Sequence, residues 1–313
     1  MSRNSTYSES VHNLSRRAFI KNGTLFMLAG VGGAANSVSA NIFSDDKPKM
    51  HIGLITDLHY ADTDDRGARN YRESLPKAEY AIAELNRVKL DCAVEIGDLI
   101  DALPQPTAES EIRFLKTINR EISRLKTERH YVLGNHCIYS LTKPQFMDTI
   151  ERKNSFYSFD KSGYHIVFLD ACYRKDGVDY GKLNNDWTDT DIPAHEREWL
   201  AADLKQTKHK TIVFVHQRLD LPVENEDAVH SSPLVREILE ESGKVIAVFQ
   251  GHSHVNDYRT IKDIHYCTLD AVIGGTGPAS NAYSVLSIYA DGSLKLDGFA
   301  KHSVNPLNKR TQV

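Results

Sequence analysis

Apolar runs of β-strand length recur along the chain, at residues 50–56, 92–96, 130–133, 165–169, 211–215 and 245–249. Between several of them, apolar and charged residues alternate with the period of an amphipathic helix, over residues 76–88, 108–125, 193–204 and 233–241. Two later stretches, 265–273 and 283–299, are typical of short strands around the turn Ala290-Asp291-Gly292. This alternation predicts an α/β fold with an antiparallel addition to its sheets.

The first apolar run ends in side chains that do not belong in a core. In GLITDLHYAD, residues 53–62, it is followed by Asp57 and His59, which would lie on the same face if the strand extends this far. A buried carboxylate and a buried imidazole need compensation, and a metal ion would compensate both. A strand followed by an Asx turn also explains an isolated D-x-H. The other strand ends decide between these two interpretations.

Most of the other apolar runs also end in polar side chains that can bind a metal. In α/β folds, the loops after the strands open into a crevice at the carboxyl edge of the sheet. Taken singly, each side chain is explained by turn chemistry or by a hydrogen-bonded core histidine. Together they predict a metal centre. The residues are Asp98 and Asp101 in GDLID, Asn135 and His136 in GNHC, His216, and His252 and His254 in GHSH.

The first 40 residues have the composition of an export signal. LSRRAFIKNG is followed by the apolar run TLFMLAGVGGAA and by SVSAN, which resembles a cleavage site. Arg16 and Arg17 resemble the twin-arginine signal, which implies bacterial export of a folded protein by the twin-arginine translocation machinery. A basic amphipathic start or a membrane anchor is the alternative, but the run is too short for a stable spanning helix. We therefore predict a signal peptide over residues 1–40, cleaved near Ala40, and a periplasmic or secreted protein.

Charge and cysteine content narrow the class of partner. Without residues 1–40, the basic and acidic totals fall from 38 and 42 to 34 and 41, a net charge of −7. No basic field remains to hold a nucleic acid or an anionic membrane surface in bulk, so we expect a small substrate. The chain has no repeats or low-complexity linker, and residues 41–313 are predicted to form one domain. Its cysteines are widely spaced within or just after apolar runs, which favours free or buried thiols over a disulfide framework. They are Cys92, Cys137, Cys172 and Cys267.

The order of these motifs, over residues 49–300, resembles the calcineurin-like metallophosphoesterases. The resemblance implies a four-layer αββα sandwich of two mixed sheets flanked by helices, and two divalent metal ions, of manganese, iron or zinc. Two cations close together need an anionic bridge, which a carboxylate supplies with its two oxygens. The resemblance implies that Asp57, His59, Asp98 and His254 bind one ion, and that Asp98, Asn135, His216 and His252 bind the other.

His136 matches the family residue that assists the leaving group, as a general acid or as a hydrogen-bond donor. Cys137 departs from the family pattern, in which many members have Asp or Glu at this position. Because a thiol cannot hold an imidazolium as a carboxylate does, His136 is either a weaker acid here or relies on Asp101 or Asp170. Asp101 has two interpretations of equal weight, since it orients a metal ligand or caps a helix.

The stretch ITDLHYADTDDRGARNYRESLPKAEYAI, residues 55–82, resembles the manganese-dependent ADP-ribose/CDP-alcohol diphosphatase branch, which typically has glutamine in place of His59. This resemblance implies hydrolysis of a phosphoanhydride in a nucleoside-diphosphate conjugate, with Arg69 or Arg72 holding the distal phosphate. For either arginine alone, a surface salt bridge is the favoured alternative. In the loop over 173–191, Trp187 and Tyr180 either stack on a base or pack the loop, and packing is favoured.

Together these observations predict an exported dinuclear enzyme that cleaves a phosphodiester or pyrophosphate bond in a small nucleotide-type substrate. A phosphomonoesterase is the nearest alternative. A non-catalytic binding protein on the same fold is another, but such a protein would lack some ligands, and all seven positions are filled here. A nuclease would need a basic track, and a phospholipase would need an exposed apolar rim.

Overall fold

The computed structural model describes residues 18–21, 24–28, 47–184 and 186–303. Within these ranges, two mixed β-sheets pack against each other and helices cover their outer faces. The strands are β1 (Ala18–Lys21), β2 (Thr24–Met27), β3 (Met50–Ile55), β4 (Cys92–Glu95), β5 (Glu128–Tyr131), β6 (Tyr157–Lys161), β7 (Tyr164–Phe168), β8 (Lys210–Phe214), β9 (Val245–Gln250), β10 (Asp257–Ile261), β11 (Ile264–Thr268), β12 (Ala282–Ile288) and β13 (Leu294–Ala300). The helices are α1 (Ser74–Leu85), α2 (Ala108–Ile122), α3 (Lys143–Thr149), α4 (Ala194–Gln206) and α5 (Ser232–Ser242).

The first sheet has the strand order β1-β2-β13-β12-β3-β4-β5, and the second has the order β10-β11-β9-β8-β7-β6. In the first sheet, β3, β4 and β5 run parallel, whereas β12 and β13 pair antiparallel. In the second sheet, β7, β8, β9 and β11 are parallel, and β6 and β10 join its two edges antiparallel. The predicted α/β fold with an antiparallel addition is therefore confirmed.

Both faces of the central strands are buried, which explains why their sequences are apolar runs without alternation. Alternate residues of β3, such as Ile52 and Leu54, meet Phe214 and Phe249 of the second sheet between the two sheets. The opposite faces pack on helices, α1 to α3 over the first sheet and α4 with α5 over the second. This arrangement is the expected four-layer αββα sandwich.

Several elements differ from those expected. β6, β10 and α3 were not predicted, because β6 and β10 are partly exposed edge strands with polar side chains and α3 has only 7 residues. The predicted strand over 265–273 ends at Thr268, and Val272 N and Ile273 N donate instead to the backbone carbonyls of Thr56 and Asp57. The four cysteines are free and buried, as expected.

Two short strands from the N-terminal region extend the first sheet. β2 pairs antiparallel with β13, with Met27 opposite Leu294, and β1 pairs with β2. Leu25 and Met27 are buried among the residues between the sheets. From the sequence we expect residues 1–40 to lie outside the folded domain, whereas these two strands within them pair with the sheet. The twin-arginine pair and Ala40 lie outside the described residues, so the signal peptide and its cleavage stay predictions.

None of the helices in the described ranges has the length and apolar character that crossing a membrane requires.

Candidate metal centre

The carboxyl ends of strands from both sheets meet at one edge of the sandwich and bring the predicted ligands together. β3, β4 and β5 of the first sheet lead to Asp57 and His59, to Asp98 and to Asn135. β8 and β9 of the second lead to His216 and to His252 and His254. Among the described residues, three groups of side chains could each hold a metal ion, and within each group the ligand atoms lie within 4.8 Å of one another. These are Asp57 with His59 and His254, His59 with Asp98 and His136, and Asp98 with His216 and His252.

Asp98 lies between two sets of histidines. Its Oδ2 is 3.1 Å from Nε2 of His216 on one side and 3.5 Å from Nε2 of His59 on the other. Asp57 Oδ1 is 3.2 Å from Nε2 of His254, which lies 3.0 Å from Nε2 of His59. One carboxylate is therefore shared by the two halves of the cluster, as the bridging position requires.

Buried polar atoms in this cluster fit a divalent metal ion. His216 Nδ1 donates a hydrogen bond of 2.7 Å to the carbonyl of Ile96, which fixes its tautomer and directs Nε2 toward Asp98. Within the described residues, Nε2 of His216 and Nε2 of His252 are buried and make no hydrogen bond. Aspartate oxygens and neutral imidazole nitrogens around common centres form a suitable donor set for Mn, Fe or Zn.

The carboxylates and the imidazoles of the cluster compensate one another's charge. Burial raises the pKa of Asp98, but His216, His136 and His59 outweigh it and hold the pKa of this carboxyl well below its usual range. Burial lowers the pKa of His216, but Asp98 and Asp57 reverse that effect and raise the pKa to about 9. The site therefore holds its carboxylates as anions and favours positive charge between them.

The backbone at the ligands is strained. Asp57, His59 and Asp98 have φ angles of 54°, 47° and 55°, and His252 and His254 have φ angles of 70° and 51°. Non-glycine residues rarely adopt this left-handed region, and such conformations concentrate at functional sites. Backbone hydrogen bonds hold them in place, among them Asp57 N to Gly97 O at 2.9 Å and His59 N to Asp98 O at 2.7 Å.

Glycines precede three of the ligands because neighbouring elements approach their backbones closely. A Cβ atom on Gly97 would overlap the His216 ring, and one on Gly134 would overlap Asp98. A Cβ atom on Gly251 would overlap the carboxylate of Asp57. The G-D, G-N and G-H pairs therefore have a steric reason, since only glycine lets the strand ends of both sheets approach one another this closely at the candidate site.

Asp101 joins His136, His59 and Arg69. Its Oδ1 accepts a hydrogen bond of 2.9 Å from His136 Nδ1, and its Oδ2 is 3.3 Å from His59 Nδ1. Arg69 donates to the same Oδ2 at 2.6 Å. Burial raises the pKa of Asp101, but His136 and His59 outweigh it, and the pKa lies well below the usual range. Asp101 was expected either to orient a metal ligand or to cap a helix, and these contacts support the first interpretation, orientation of a ligand histidine.

Cys137 and Asp170 do not contact the ring of His136 in any hydrogen bond or ion pair of the described residues. The buried thiol of Cys137 accepts a hydrogen bond from Leu99 N at 3.3 Å, and burial raises its pKa. Asp170 instead pairs with Nζ of Lys143 at 2.7 Å. Asp101 supplies the carboxylate that the residue after His136 lacks.

Of the two candidate arginines, the structure brings one to the site. Arg69 lines the cavity over the metal centre, with its side chain 33% exposed. Arg72 forms exposed ion pairs with Asp62 at 2.7 Å and Asp64 at 2.9 Å, and it does not line that cavity.

The cavity has a volume of about 430 Å³. Besides Arg69 and the predicted site residues Asp98, Asn135, His136, His252 and His254, it is lined by Trp187, Asp227 and Ser253. Asp227 carries no sequence signal, because it follows no strand and sits in an ordinary polar loop. Tyr180 is buried and packs its loop, whereas Trp187 in the same loop is 42% exposed.

Lys77 is a buried support that the sequence does not reveal. It is 1% exposed, and its Nζ donates to the carbonyls of Gly275 at 2.8 Å and Ile273 at 3.2 Å. Ile273 N in turn donates to the carbonyl of Asp57 at 3.0 Å. The lysine thus holds the segment that braces a strained ligand, although on α1 it resembles any other charged position.

Comparisons with known proteins agree with this geometry. The family model for calcineurin-like phosphoesterases (Metallophos) matches residues 50–256. Manganese-dependent ADP-ribose/CDP-alcohol diphosphatases of Danio rerio and Xenopus laevis are 24% and 23% identical to the chain, with 79% of it covered and 94% and 87% of theirs. A crystal structure of a dimetal phosphatase from Danio rerio has a TM-score of 0.70 at 21% identity, covering 82% of this chain and 97% of that chain. At that identity the structural match establishes the fold alone. Because the family model covers more than half of the sequence, the chain belongs to the calcineurin-like phosphoesterases, a family of phosphoric ester hydrolases.

Proposed function

We propose that this protein is an exported enzyme that uses two divalent metal ions to hydrolyse a phosphodiester or pyrophosphate bond in a small nucleotide-type substrate. The observation that carries the proposal is the position of Asp98 between two ligand groups, one around His59 and one around His216 and His252. A shared carboxylate is what a pair of neighbouring ions needs.

The residues divide into two sets around Asp98. Asp57, His59, Asp98 and His254 would hold one ion, and Asp98, Asn135, His216 and His252 would hold the other. When bound, such a pair supplies positive charge for phosphoryl oxygens and an activated water. The strained backbone at most of these ligands and the hydrogen bond that fixes the His216 tautomer keep the donors oriented without rearrangement.

His136 is positioned to give a proton to the leaving oxygen. Its side chain is 24% exposed and lines the cavity, and Asp101 holds Nδ1, which leaves Nε2 for the substrate. A general acid must lie within hydrogen-bond reach of the group it protonates and be kept in one orientation. Arg69, held by the same Asp101, adds positive charge at the cavity wall for a non-reacting phosphate.

The relatives support a nucleoside-diphosphate conjugate as the substrate and manganese as the metal. Their names specify manganese dependence and ADP-ribose or CDP-alcohols. The cavity of about 430 Å³, with Arg69 in its wall, has the size and charge for a substrate of this class.

A substrate and metal panel tests the activity. The enzyme would be assayed on ADP-ribose, CDP-choline, bis-p-nitrophenyl phosphate and p-nitrophenyl phosphate, with Mn²⁺, Fe²⁺ or Zn²⁺ supplied separately and the bound metal counted. We expect the two diphosphates to be cleaved best, with two ions per chain. Faster cleavage of the monoester would favour a phosphomonoesterase, and inactivity with two ions bound would favour a non-catalytic binding protein.

The export component has its own test. Twin arginines followed by an apolar run support it, and replacing both Arg16 and Arg17 by Lys keeps their charge. We expect this variant to remain as uncleaved precursor inside the cell, whereas the unchanged chain is recovered outside the inner membrane and begins after Ala40. Equal distribution of the two proteins would contradict export by this route.

A further inference from the structure

The wall of the cavity carries opposite charges on its two sides. Arg69, held on Asp101, lies on one side next to His136. Trp187 and Asp227 lie on the other, where both flank His252. A substrate bound across the metal centre therefore meets a guanidinium at one end and an aromatic ring with a carboxylate at the other.

Trp187 is an exposed aromatic ring held in a fixed position. It is 42% exposed, and its ring centroid is 5.9 Å from that of His252 at a tilt of 54°. The buried Tyr180 hydroxyl lies 2.8 Å from the carbonyl of Asp186 and 2.7 Å from that of Asp189. These contacts hold the loop backbone on both sides of the tryptophan, so the loop itself does not have to be ordered when a ligand binds.

Asp227 presents one carboxylate oxygen beside the same histidine. Its Oδ2 accepts a hydrogen bond of 2.5 Å from the Ser253 hydroxyl, and its backbone carbonyl accepts one of 3.2 Å from Arg218 N. Oδ1 is 3.9 Å from His252 Nε2, and no donor among the described residues hydrogen-bonds to it. The carboxylate is thus fixed through one oxygen and has the other available to a ligand.

The charge of the surrounding segments disfavours a second phosphate on this side. The two segments that carry Trp187 and Asp227, residues 173–191 and 222–230, contain eight Asp or Glu and three Lys or Arg residues. An excess of carboxylates repels an anionic group and favours a cationic one. An aromatic face beside a carboxylate is the combination that recognises alkylammonium groups.

We propose that Trp187 and Asp227 form a subsite for an alkylammonium group, such as choline, carried by the alcohol portion of the phosphodiester or diphosphate substrate. This inference rests on the proposed function, and it assigns each end of the substrate to one side of the cavity. The ammonium lies between the indole face and Asp227 Oδ1, and the rest of the substrate extends toward Arg69.

A pair of chromogenic esters tests the subsite. p-Nitrophenyl phosphocholine and p-nitrophenyl 3,3-dimethylbutyl phosphate release the same leaving group and differ by a quaternary nitrogen in place of a carbon. With Mn²⁺, we expect kcat/KM to be about tenfold higher for the choline ester, mainly through a lower KM. In Asp227→Asn and in Trp187→Leu, we expect the ratio of the two kcat/KM values to fall toward one.

Glu226→Gln is the matched control. It removes the same charge from the exposed side of the same segment, so we expect the wild-type ratio to be kept. A ratio that falls equally in Glu226→Gln and Asp227→Asn would overturn the subsite in favour of long-range charge. Equal hydrolysis of the two esters by the wild type would also overturn it, while leaving the proposed function intact.

Failure to cleave either ester would count against phosphodiester hydrolysis but not against pyrophosphate hydrolysis, and binding then decides the subsite separately. Calorimetric titration of Mn²⁺-loaded protein with phosphocholine should give at least tenfold tighter binding to the wild type than to Asp227→Asn, and equal binding would overturn the inference. The choline group could be carried by a nucleotide or by a lipid, and CDP-choline and phosphatidylcholine vesicles are the probes that distinguish these two sources. Hydrolysis or binding of either one that depends on Asp227 supports the subsite and identifies its source.

Discussion

The single carboxylate of Asp101 orients three side chains. It holds Nδ1 of His136, approaches Nδ1 of His59 and accepts from Arg69. A carboxylate behind a ligand or catalytic histidine fixes the tautomer and the ring position. Asp101 therefore links the candidate metal site, the proposed proton donor His136 and the cationic wall of the cavity.

Asp101→Asn should lower kcat by about tenfold to a hundredfold, because the amide keeps the volume but loses the charge that orients both rings. Metal content and kcat would be measured together, since both depend on Asp101. Asp62→Asn is the control, as Asp62 is an exposed carboxylate paired with Arg72 outside the cavity. An unchanged kcat in Asp101→Asn would contradict the orienting role.

His136→Ala should leave both metal ions bound and slow turnover by roughly 10²-fold or more, because it removes the proton donor. Asn135→Ala, at the preceding residue, should instead lower metal content. Single-turnover kinetics together with metal analysis of the two variants checks this distinction. A His136→Ala enzyme with wild-type turnover on substrates with poor leaving groups would exclude His136 as the acid.

The chemical types of the ligands were predictable from sequence, but their backbone conformations were not. A carboxylate or imidazole directly after an apolar run is a visible pattern, and all seven predicted ligands converge. The positive φ angles at five of them depend on hydrogen bonds between loops far apart in sequence. Asp227 was missed for a related reason, because only tertiary packing brings its loop to His252.

At the scale of elements, the connection between β7 and α4 depends on a buried carboxyl group. Glu196, in the first turn of α4, accepts a hydrogen bond of 2.8 Å from the backbone of Asp170, just after β7. Its Oε2 makes no hydrogen bond with the described residues. Burial and the nearby Asp170 raise the pKa of Glu196 well above its usual range.

Glu196 therefore favours the folded state below its unfolded pKa, near 4.5, and this contribution is lost as pH rises toward the folded pKa. Glu196→Gln keeps an acceptor and removes this dependence. We expect the difference in Tm, variant minus wild type, to increase between pH 5 and pH 8 in metal-free protein. Exposed Glu198→Gln on the same helix is the control, and a difference that does not change with pH would contradict the argument.

The central strands were predictable because burial on both faces makes them continuous apolar runs. β6 and β10 were not, since each lies at a sheet edge and is largely half-exposed, with sequences YSFDK and DYRTI. Such strands are specified by a neighbour, β7 or β11, rather than by their own pattern. α3 is also too short for its period to be distinctive.

At the scale of the whole molecule, the metal centre joins the two sheets. The aspartates, His59 and Asn135 follow strands of the first sheet, and His216, His252 and His254 follow strands of the second. Ions bound there would act as cross-links at one edge of a sandwich that otherwise depends on apolar packing between its layers. The layered arrangement itself followed from the family resemblance, because alternating elements alone do not specify two sheets.

Metal removal should lower Tm substantially. A ligand at 1,000 times its Kd stabilises the folded state by about 4 kcal/mol, which corresponds to roughly 10 °C for a domain of this size. Thermal unfolding in EDTA and after addition of Mn²⁺ measures this shift. His216→Ala should respond less to Mn²⁺ than the wild type, and identical Tm values with and without metal would contradict cross-linking by the ions.

If residues 1–40 are a signal peptide as proposed, the pairing of β1 with β2 and of β2 with β13 would give this segment a second role in the precursor. The same residues cannot pair with β13 and also lie extended in the translocation machinery. If the chain is exported as proposed, the first sheet and the export receptor compete for the same signal segment. The free energy that docks Leu25 and Met27 between the sheets is then subtracted from the affinity for the receptor. Cleavage of a signal peptide would end this competition and would leave Leu294–Ala300 as an open edge, so that maturation would change the surface of the enzyme as well as its location.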